Sequence, residues 1–214
     1  RKAEGTVAET LPESKLSRQL FYELGCATGM LHALARDYRP ECKLPLPCWD
    51  EYLGDYVAED HLPEPDPPII ARSRALDSHL KALSTTAGGF CIIHNDLHLG
   101  NFCVGGAGVT VFDLGDCAYG WYVMDIAMLI FDRVTLASGT DQDKASLANS
   151  FLQPFLSGYR SEVGISDFWL QQLPRFLKLF ELNYYVLMTK SFPQGNWGWW
   201  GDLFMPDRRD RIVQ

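Results

Sequence analysis

The sequence predicts an α+β fold that is mainly α, with a small β hairpin between two groups of helices. Three observations lead to this prediction. Apolar residues recur at helical spacing from Leu16 onward, short apolar runs replace that spacing over 90–112, and helical spacing returns after Trp121. The length of 214 residues suits one domain or one and a half, and no internal repeat is visible.

The N-terminal third is predicted to hold two helices. The first runs from Leu16 with Ser14 as its N-cap, and Tyr38 and Pro40 end it. Residues 40–68 contain seven of the twelve prolines, which indicates a long loop or a set of short turns. Apolar residues of this region such as Trp49 are expected to dock on the core. A second helix is predicted over 69–83.

The middle of the chain changes period. The run Phe90–Ile93 is typical of a short buried strand, and 101–104 with 109–112 flank a glycine-rich turn, Gly105–Gly108, as in a hairpin. Further helices are predicted near 121–134, 143–161 and 167–190, with Pro174 near a helix start or a kink. The tail 195–201, with its glycines and tryptophans, is not expected to form a regular helix.

Composition and charge exclude several classes of protein. Hydrophobic residues make up 47% and charged residues 21% of the chain, which excludes disordered and low-complexity proteins. A formal charge of −8 without a basic run argues against binding to nucleic acids or to anionic membranes. The most apolar run, 121–131, is too short to span a bilayer. Acidity is compatible with a cationic substrate but is equally common in proteins that are merely soluble.

The six cysteines form no C-x-x-C pair. Zinc ribbons need closely spaced pairs, and disulfide scaffolds are smaller and richer in cysteine. We therefore expect free thiols in a reducing cytosol, and hence a cytoplasmic protein.

Polar residues gather around the predicted hairpin. Asp96 follows the buried strand, Asn101 follows five residues later, and Asp113 ends the second hairpin strand. Because a hairpin folds back on itself, Asp113 is expected to return close to Asn101. Carboxylate and amide oxygens are ligands that Mg²⁺ prefers, which would leave Asp96 beside the metal to orient a hydroxyl and accept its proton.

The order H-x-D-x-x-x-x-N followed by D-x-G is the layout of a kinase catalytic loop and metal-binding segment. The stretch from His94 to Asn101, reading HNDLHLGN, resembles the catalytic loop of the aminoglycoside phosphotransferase and choline kinase-like family. Residues 111–127 resemble that family's metal-binding segment and the helix behind it, and 24–34 resemble the helix ahead of the site. The likeness is specific over about 90–130 and extends over the whole chain as a C-terminal lobe.

The resemblance implies a role for each matching residue. Asp96 would be the catalytic base, and Asn101 and Asp113 would be the metal ligands. Asp125 would be a buried brace for the backbone of the catalytic loop, and His94 a scaffold residue of that loop. ATP would be the co-substrate and Mg²⁺ the metal.

The sequence also departs from the family's pattern. No G-x-G-x-x-G and no V-A-x-K occur, and the only lysine before residue 15 is Lys2. The family's N-terminal nucleotide lobe is thus absent, and 1–214 is interpreted as a single C-terminal lobe that binds the acceptor and carries the catalytic loop. Because the chain opens on Arg1 rather than Met, we expect that the lobe was cut off or left out. We also expect the isolated chain to have little or no kinase activity.

Other interpretations stay open for several residues. His94, Asp96 and His98 could be a zinc or hydrolase site, although sites of that kind recruit further ligands from other loops. His98 could instead hydrogen-bond locally or touch a phosphate. Asp116 could be a second metal ligand, contact the substrate or cap the following turn. The aromatic residues over 197–204 could stack on a ligand or pack into the core, and His32 is expected to be a core histidine.

The predicted function of the complete protein is ATP- and Mg²⁺-dependent transfer of a phosphoryl group to a hydroxyl of a small molecule. Aminoglycosides, choline, homoserine and other hydroxylated metabolites, cationic or not, all remain open as acceptors. The alternative is a kinase-derived binding module that keeps the loop geometry without turnover.

Overall fold

The computed structural model describes residues 3–39, 41, 46–54, 61–85, 88–135 and 137–214. Over these ranges the helices are α1 (Arg18–Asp37), α2 (Trp49–Gly54), α3 (Pro67–Lys81), α4 (Tyr122–Thr135), α5 (Asp141–Glu162), α6 (Asp167–Leu170), α7 (Leu173–Ser191), α8 (Gly198–Phe204) and α9 (Arg208–Val213). The strands are β1 (Thr6–Val7), β2 (Phe90–Ile93), β3 (Phe102–Gly105), β4 (Gly108–Val111) and β5 (Ala118–Trp121). The prediction of a mainly helical fold with a small hairpin is confirmed.

Two small antiparallel sheets hold the central part of the chain. The hairpin β3–β4 pairs Phe102 with Val111 and closes at Gly105 and Gly108, and β1 adds a third strand beside β3. Gly108 has φ 104°, a left-handed conformation that favours glycine at this turn. In the second sheet β2 pairs with β5, so that the chain enters the loop at 94–98 and the helix α4 from neighbouring strands.

The core is built around α4 and Trp121. Every residue from Trp121 to Phe131 is buried, which explains the long apolar run in the sequence. The indole ring of Trp121 contacts the rings of Trp49, Phe90, Trp169 and Phe176, with centroid distances of 4.9 to 6.4 Å. Trp49 thus docks on the core as expected, although it belongs to a helix. Over the described residues, no helix is both long and apolar enough to cross a membrane.

Several boundaries differ from the sequence predictions. Helix α1 is capped by Ser17, whose Oγ accepts a hydrogen bond from Leu20 N at 3.2 Å, whereas Ser14 lies in a short 3-10 turn. The region 40–68 is not only loop, since α2 and the first turn of α3 fall within it; residues 40, 42–45 and 55–60 lie outside the described ranges. Helix α3 begins early because Asp66 caps it and prolines suit the first helical turn.

The prediction for the tail was wrong in part. Gly195 and Gly198 have positive φ angles, as expected of an irregular segment, but Gly198–Phe204 then forms helix α8. That helix is stabilised by packing rather than by propensity, because Phe204 is fully buried and its ring lies 4.8 Å from that of Trp200. Of the two readings for the aromatic tail, core packing therefore holds for Phe204.

The five cysteines in the described ranges are free thiols, of which Cys103 alone is buried; Cys42 lies outside those ranges. Burial raises the pKa of the Cys91 thiol to about 11.

Helices α1 and α5 cross at closely packed glycines. A Cβ atom on Gly25 would collide with the carbonyl oxygen of Phe155, and one on Gly158 with that of Tyr22. Backbone atoms cannot yield as flexible side chains do, so the approach of the two helices requires glycine at both positions.

We expect Gly25→Ala to destabilise the protein by about 1–3 kcal/mol, because the added methyl group forces the helices apart. The sign of the change in the free energy of unfolding tests the packing argument, because helix propensity alone predicts the opposite sign. At an exposed helix position, replacing glycine by alanine would stabilise the protein by roughly 1 kcal/mol. Chemical denaturation measures the change. Gly164→Ala is the matched control, because no atom lies within 4 Å of its added Cβ; equal stability of the two variants would contradict the packing argument.

Candidate active site

The loop that follows β2 is fixed by one buried carboxylate. Asp125, in the first turn of α4, is fully buried and accepts hydrogen bonds from the backbone N–H groups of His94 and Asn95, both at 2.8 Å. Its Oδ2 atom also lies 2.9 Å from His32 Nε2 on α1. Because Asp125 accepts, Nε2 carries the ring proton of His32.

His32 is a core histidine, as the sequence predicts. Its Nδ1 atom hydrogen-bonds to the hydroxyl of Tyr159 on α5 at 2.8 Å, and its ring stacks on Tyr122 at 4.6 Å. Burial raises the pKa of the Tyr159 phenol, which keeps its proton. Helices α1, α4 and α5 are therefore joined by one chain of polar contacts that ends on the loop.

The loop turns sharply at Asn95. This residue has φ 71°, a left-handed conformation that asparagine tolerates better than most residues. After the turn, Leu97 is fully buried while the side chain of Asp96 is 37% exposed. The turn thus presents the Asp96 carboxylate to solvent at the end of β2. This strand is only partly buried, because Ile93 alone of its four residues is fully buried, so the prediction of a buried strand was wrong in part.

Asn101 connects Asp96 with Asp113. Its Nδ2 atom donates to the backbone oxygen of Asp96 at 2.8 Å and to Asp96 Oδ2 at 3.3 Å. Its backbone oxygen accepts from Phe112 N at 3.1 Å, so Asp113 is the next residue along. The structure therefore brings Asn101 and Asp113 together as the hairpin geometry predicts.

His94 braces the same junction. Its Nε2 atom donates to the backbone oxygen of Phe112 at 2.9 Å, and its Nδ1 atom is buried without a hydrogen-bond partner in the described ranges. Neither ring nitrogen faces the open side of the loop.

Two carboxylates that follow the hairpin are exposed and have no hydrogen-bond partner in the described ranges. Asp113 is exposed and has φ 63° and ψ 64°, and Asp116 is exposed at the end of the 3-10 turn Leu114–Asp116. Neither side chain hydrogen-bonds to another residue in the described ranges, so the capping interpretation of Asp116 receives no support.

His98 lies against Asp96. Its Nδ1 atom accepts from Gly100 N at 3.1 Å, and its Nε2 atom lies 3.6 Å from Asp96 Oδ2. The backbone contact leaves the proton of the neutral ring on Nε2, facing the carboxylate. Asp96, and to a lesser extent Asp132 and Glu9, raise the pKa of His98 against the opposing effect of burial.

The zinc interpretation of His94, Asp96 and His98 gains no support from this geometry. His94 Nε2 contacts Phe112 and His98 Nδ1 contacts Gly100, so the ring nitrogens do not converge on one point. Across the described residues, no group of three or more His, Cys, Asp or Glu side chains is placed to hold a metal ion.

An acidic cavity of about 270 Å³ opens beside Asp96. Its walls are acidic and aromatic, and they include Glu9, Asp96, His98, Asp132, Phe131, Tyr184 and Trp200. Asp132 accepts from Leu99 N at 3.2 Å, and burial raises the pKa of its carboxyl group. Trp200 lines this cavity and also packs on Phe204, so core packing holds for it, while stacking on a ligand stays a prediction.

A family profile, described as the phosphotransferase enzyme family (APH), matches residues 2–162. The chain belongs to this family. The resemblance inferred from the HNDLHLGN stretch and the segment after it is thereby confirmed.

Relatives of this phosphotransferase-family chain are small-molecule kinases. It is 31% identical over 201 residues to amicoumacin kinase of Bacillus subtilis (strain 168), covering 90% of this chain and 57% of that protein. It also resembles the structure of amicoumacin kinase hAmiN in complex with AMP-PNP, Ca²⁺ and Ami, with a TM-score of 0.85, 28% identity and coverage of 99% of this chain and 63% of the other. The chain therefore spans about three-fifths of the length of these relatives.

More distant structures share the fold. A microcompartment-associated aminopropanol kinase is 21% identical with a TM-score of 0.64, over 97% of this chain and 62% of that one. Choline kinase LicA from Streptococcus pneumoniae is 16% identical with a TM-score of 0.57, over 94% and 64%. These likenesses place the phosphotransferase-family chain among kinase-like folds.

Sequence reasoning missed Asp132 and Glu9 as members of the site. For Asp132 a signal existed, because it lies seven residues after Asp125 on the same face of the helix, and all six residues between them are apolar. Glu9 carries no such signal. It comes from the segment after β1, and its carboxylate lies against Gly100 only in the folded chain.

We expect Asp96→Asn to lower the pKa of His98, because it removes the largest of the charges that raise it. In the unchanged protein the raised pKa favours the folded state below the unfolded value near 6.5, and this contribution is lost as pH rises through the folded pKa. Histidine NMR titration measures the shift, with His79, outside the site, as internal reference. An unchanged His98 pKa in the variant would refute the proposed contact.

Proposed function

We propose that the protein to which this chain belongs transfers the γ-phosphoryl group of ATP, with Mg²⁺, to a hydroxyl of a small molecule that also carries an amine. The observation that supports this most directly is the position of Asn101. One buried side chain holds Asp96 through its amide nitrogen, while its backbone pairs with the residue before Asp113. These contacts hold the proposed base next to the proposed metal ligands.

Asp96 is the proposed base. It is the partly exposed carboxylate at the tip of the loop, and Asn101 Nδ2 contacts its Oδ2 atom, so its orientation is restricted. In this role it aligns the acceptor hydroxyl and accepts its proton as the phosphoryl group is transferred. His94 and Asp125 act on this step only by holding the backbone of the loop.

The donor set suits a hard divalent cation. Because the amide nitrogen of Asn101 is used by Asp96, its side-chain oxygen is the atom left to face a metal, and the exposed carboxylate of Asp113 supplies a charged oxygen. Oxygen ligands of this kind are those that Mg²⁺ takes. When bound, Mg²⁺ would neutralise charge on the β- and γ-phosphates. The Ca²⁺ ion in the hAmiN complex is consistent with a divalent site in this family.

The nucleotide is proposed to lie over the hairpin. A second cavity, of about 460 Å³, runs between residues 3–5 and the β3–β4 turn and reaches Phe112, next to Asp113. A triphosphate that extends from this cavity would pass Asp113 on its way to Asp96.

The acceptor side favours a cation. The cavity beside Asp96 brings Glu9 and Asp132 together with the rings of Phe131, Tyr184 and Trp200. A carboxylate whose pKa burial has raised is stabilised by a nearby positive charge, and aromatic faces attract ammonium groups. The names of several relatives, aminopropanol kinase and choline kinase among them, agree with an amino alcohol.

We expect Asp96→Asn to lower kcat of the full-length protein at least about a hundredfold, because proton acceptance by a positioned base contributes that much. Asp113→Ala should abolish transfer through loss of metal-dependent nucleotide binding. ADP release with a panel of amino alcohols measures both.

Asp202→Asn, an exposed carboxylate far along the chain, is the matched control, and melting curves check the fold. Near-normal turnover in either site variant would overturn the assignment. Mg²⁺-dependent ATP binding without transfer to any acceptor would favour the alternative, a binding module.

We expect Asp132→Asn to raise KM for an amine acceptor roughly five- to thirtyfold with little change in kcat, because one charge partner is lost while the amide oxygen still accepts from Leu99. A neutral acceptor of the same shape should show no such change. Steady-state kinetics with the pair of acceptors measures the difference, and Asp77→Asn controls for the lost charge. Equal effects on both acceptors would show that Asp132 does not bind the ammonium group.

A further inference from the structure

A basic cavity of about 290 Å³ lies next to the acidic one, and Phe131 and Thr135 of α4 line both. It opens between α4, α5, α7 and α9, and four cationic side chains line it: Lys144, Lys178, Arg208 and Arg211. Its floor is apolar and includes Val134, Pro174 and Leu177. The chain as a whole has a formal charge of −8, so a local excess of positive charge is unusual in it.

Two carboxylates only partly balance the four cations. Glu181 pairs with Arg208 at 2.6 Å and with Lys178 at 2.9 Å, and Arg211 pairs with Asp141 at 3.1 Å. The Glu181–Arg208 pair is buried, with exposed side-chain fractions of 9% and 11%. The four cations and these two carboxylates together leave two positive charges in excess.

Lys144 is the cation without a partner. Within the described ranges its ammonium group makes no hydrogen bond and no ion pair, although the residue is partly buried in the first turn of α5. Burial and repulsion from Arg211 and Arg208 lower its pKa, and attraction to Asp141 offsets this effect only in part. An ammonium group in these surroundings is stabilised by an anion.

We propose that this cavity binds a phosphate monoester with an apolar body. The dianionic group lies between Lys144, which has no carboxylate partner, and Arg211, which is paired with Asp141, and the body covers the floor formed by Val134, Pro174 and Leu177. A phosphate monoester carries a charge of roughly −1.5 to −2 at neutral pH and offers three acceptor oxygens. The site is independent of the phosphoryl transfer proposed above, although Phe131 and Thr135 line both cavities.

The test is a calorimetric titration of phenyl phosphate into the full-length protein, in EDTA and without nucleotide. Phenyl phosphate is expected to bind more tightly than benzoate, which has one charge, and than inorganic phosphate, which lacks the apolar body. Phenol is expected not to bind. An equal affinity for phenyl phosphate and inorganic phosphate would overturn the role of the apolar floor.

Paired variants test the position of the site. Lys144→Gln should weaken phenyl phosphate binding about three- to tenfold, and Asp141→Asn should strengthen it because Arg211 is released. The two variants are expected to change the affinity in opposite directions. Loss of folding would weaken binding in both, so this pattern identifies a local charge effect. Arg160→Gln removes the same charge from the same helix, about 24 Å further along, and should leave the affinity unchanged.

Two results would overturn the proposal. If Lys144→Gln and Arg160→Gln weaken binding equally, the attraction is a general effect of charge. If saturating AMP-PNP with Mg²⁺ abolishes phenyl phosphate binding, the ester occupies the nucleotide site instead. Because no measurement in this series uses turnover, failure of the phosphotransferase proposal would leave the result unaffected.

Discussion

The buried carboxylate of Asp125 is the contact on which the arrangement of the site depends. A polar group that is buried without hydrogen-bond partners is costly, so the position of Asp125 is stable only while its three hydrogen-bond donors are present. One of the three, His32, comes from α1, and the other two are backbone groups of the loop at 94–95. Any shift of α1 relative to α4 would therefore be transmitted to the loop that carries Asp96.

Helix α4 also borders two neighbouring cavities of opposite charge. Asp132 faces the acidic cavity and the loop, while Val134 faces the basic cavity, and Phe131 and Thr135 form the wall between them. A net charge of −8 therefore does not describe every part of the surface, because four basic side chains line one cavity.

The parts of the site that the sequence predicts are those set by local geometry. The turn length of the hairpin fixes its register, and the register places Asn101 opposite Phe112, next to Asp113. Glu9, by contrast, reaches the loop through β1, a strand of two residues that has no period of its own. Helix α8 was missed for a related reason, because its stability comes from the contacts of Phe204 and not from the propensity of a glycine- and tryptophan-rich segment.

The polar residues around the loop fall into two groups. Some hydrogen-bond to other parts of the protein, and others have carboxylate oxygens without a hydrogen-bond partner in the described ranges. The Asp125 carboxylate accepts hydrogen bonds from α1 and from the loop backbone, and the amide nitrogen of Asn101 donates to Asp96. Asp113, Asp116 and Glu9 keep carboxylates that make no hydrogen bond in the described ranges, and all three are exposed. If these carboxylates served mainly to stabilise the fold, we would expect each to form an ion pair, as Glu181 does with Arg208. Carboxylates without partners, beside a loop that hydrogen bonds hold in place, suit the binding of a cation and a phosphate chain. Binding costs less conformational entropy when the ligating groups are already in position.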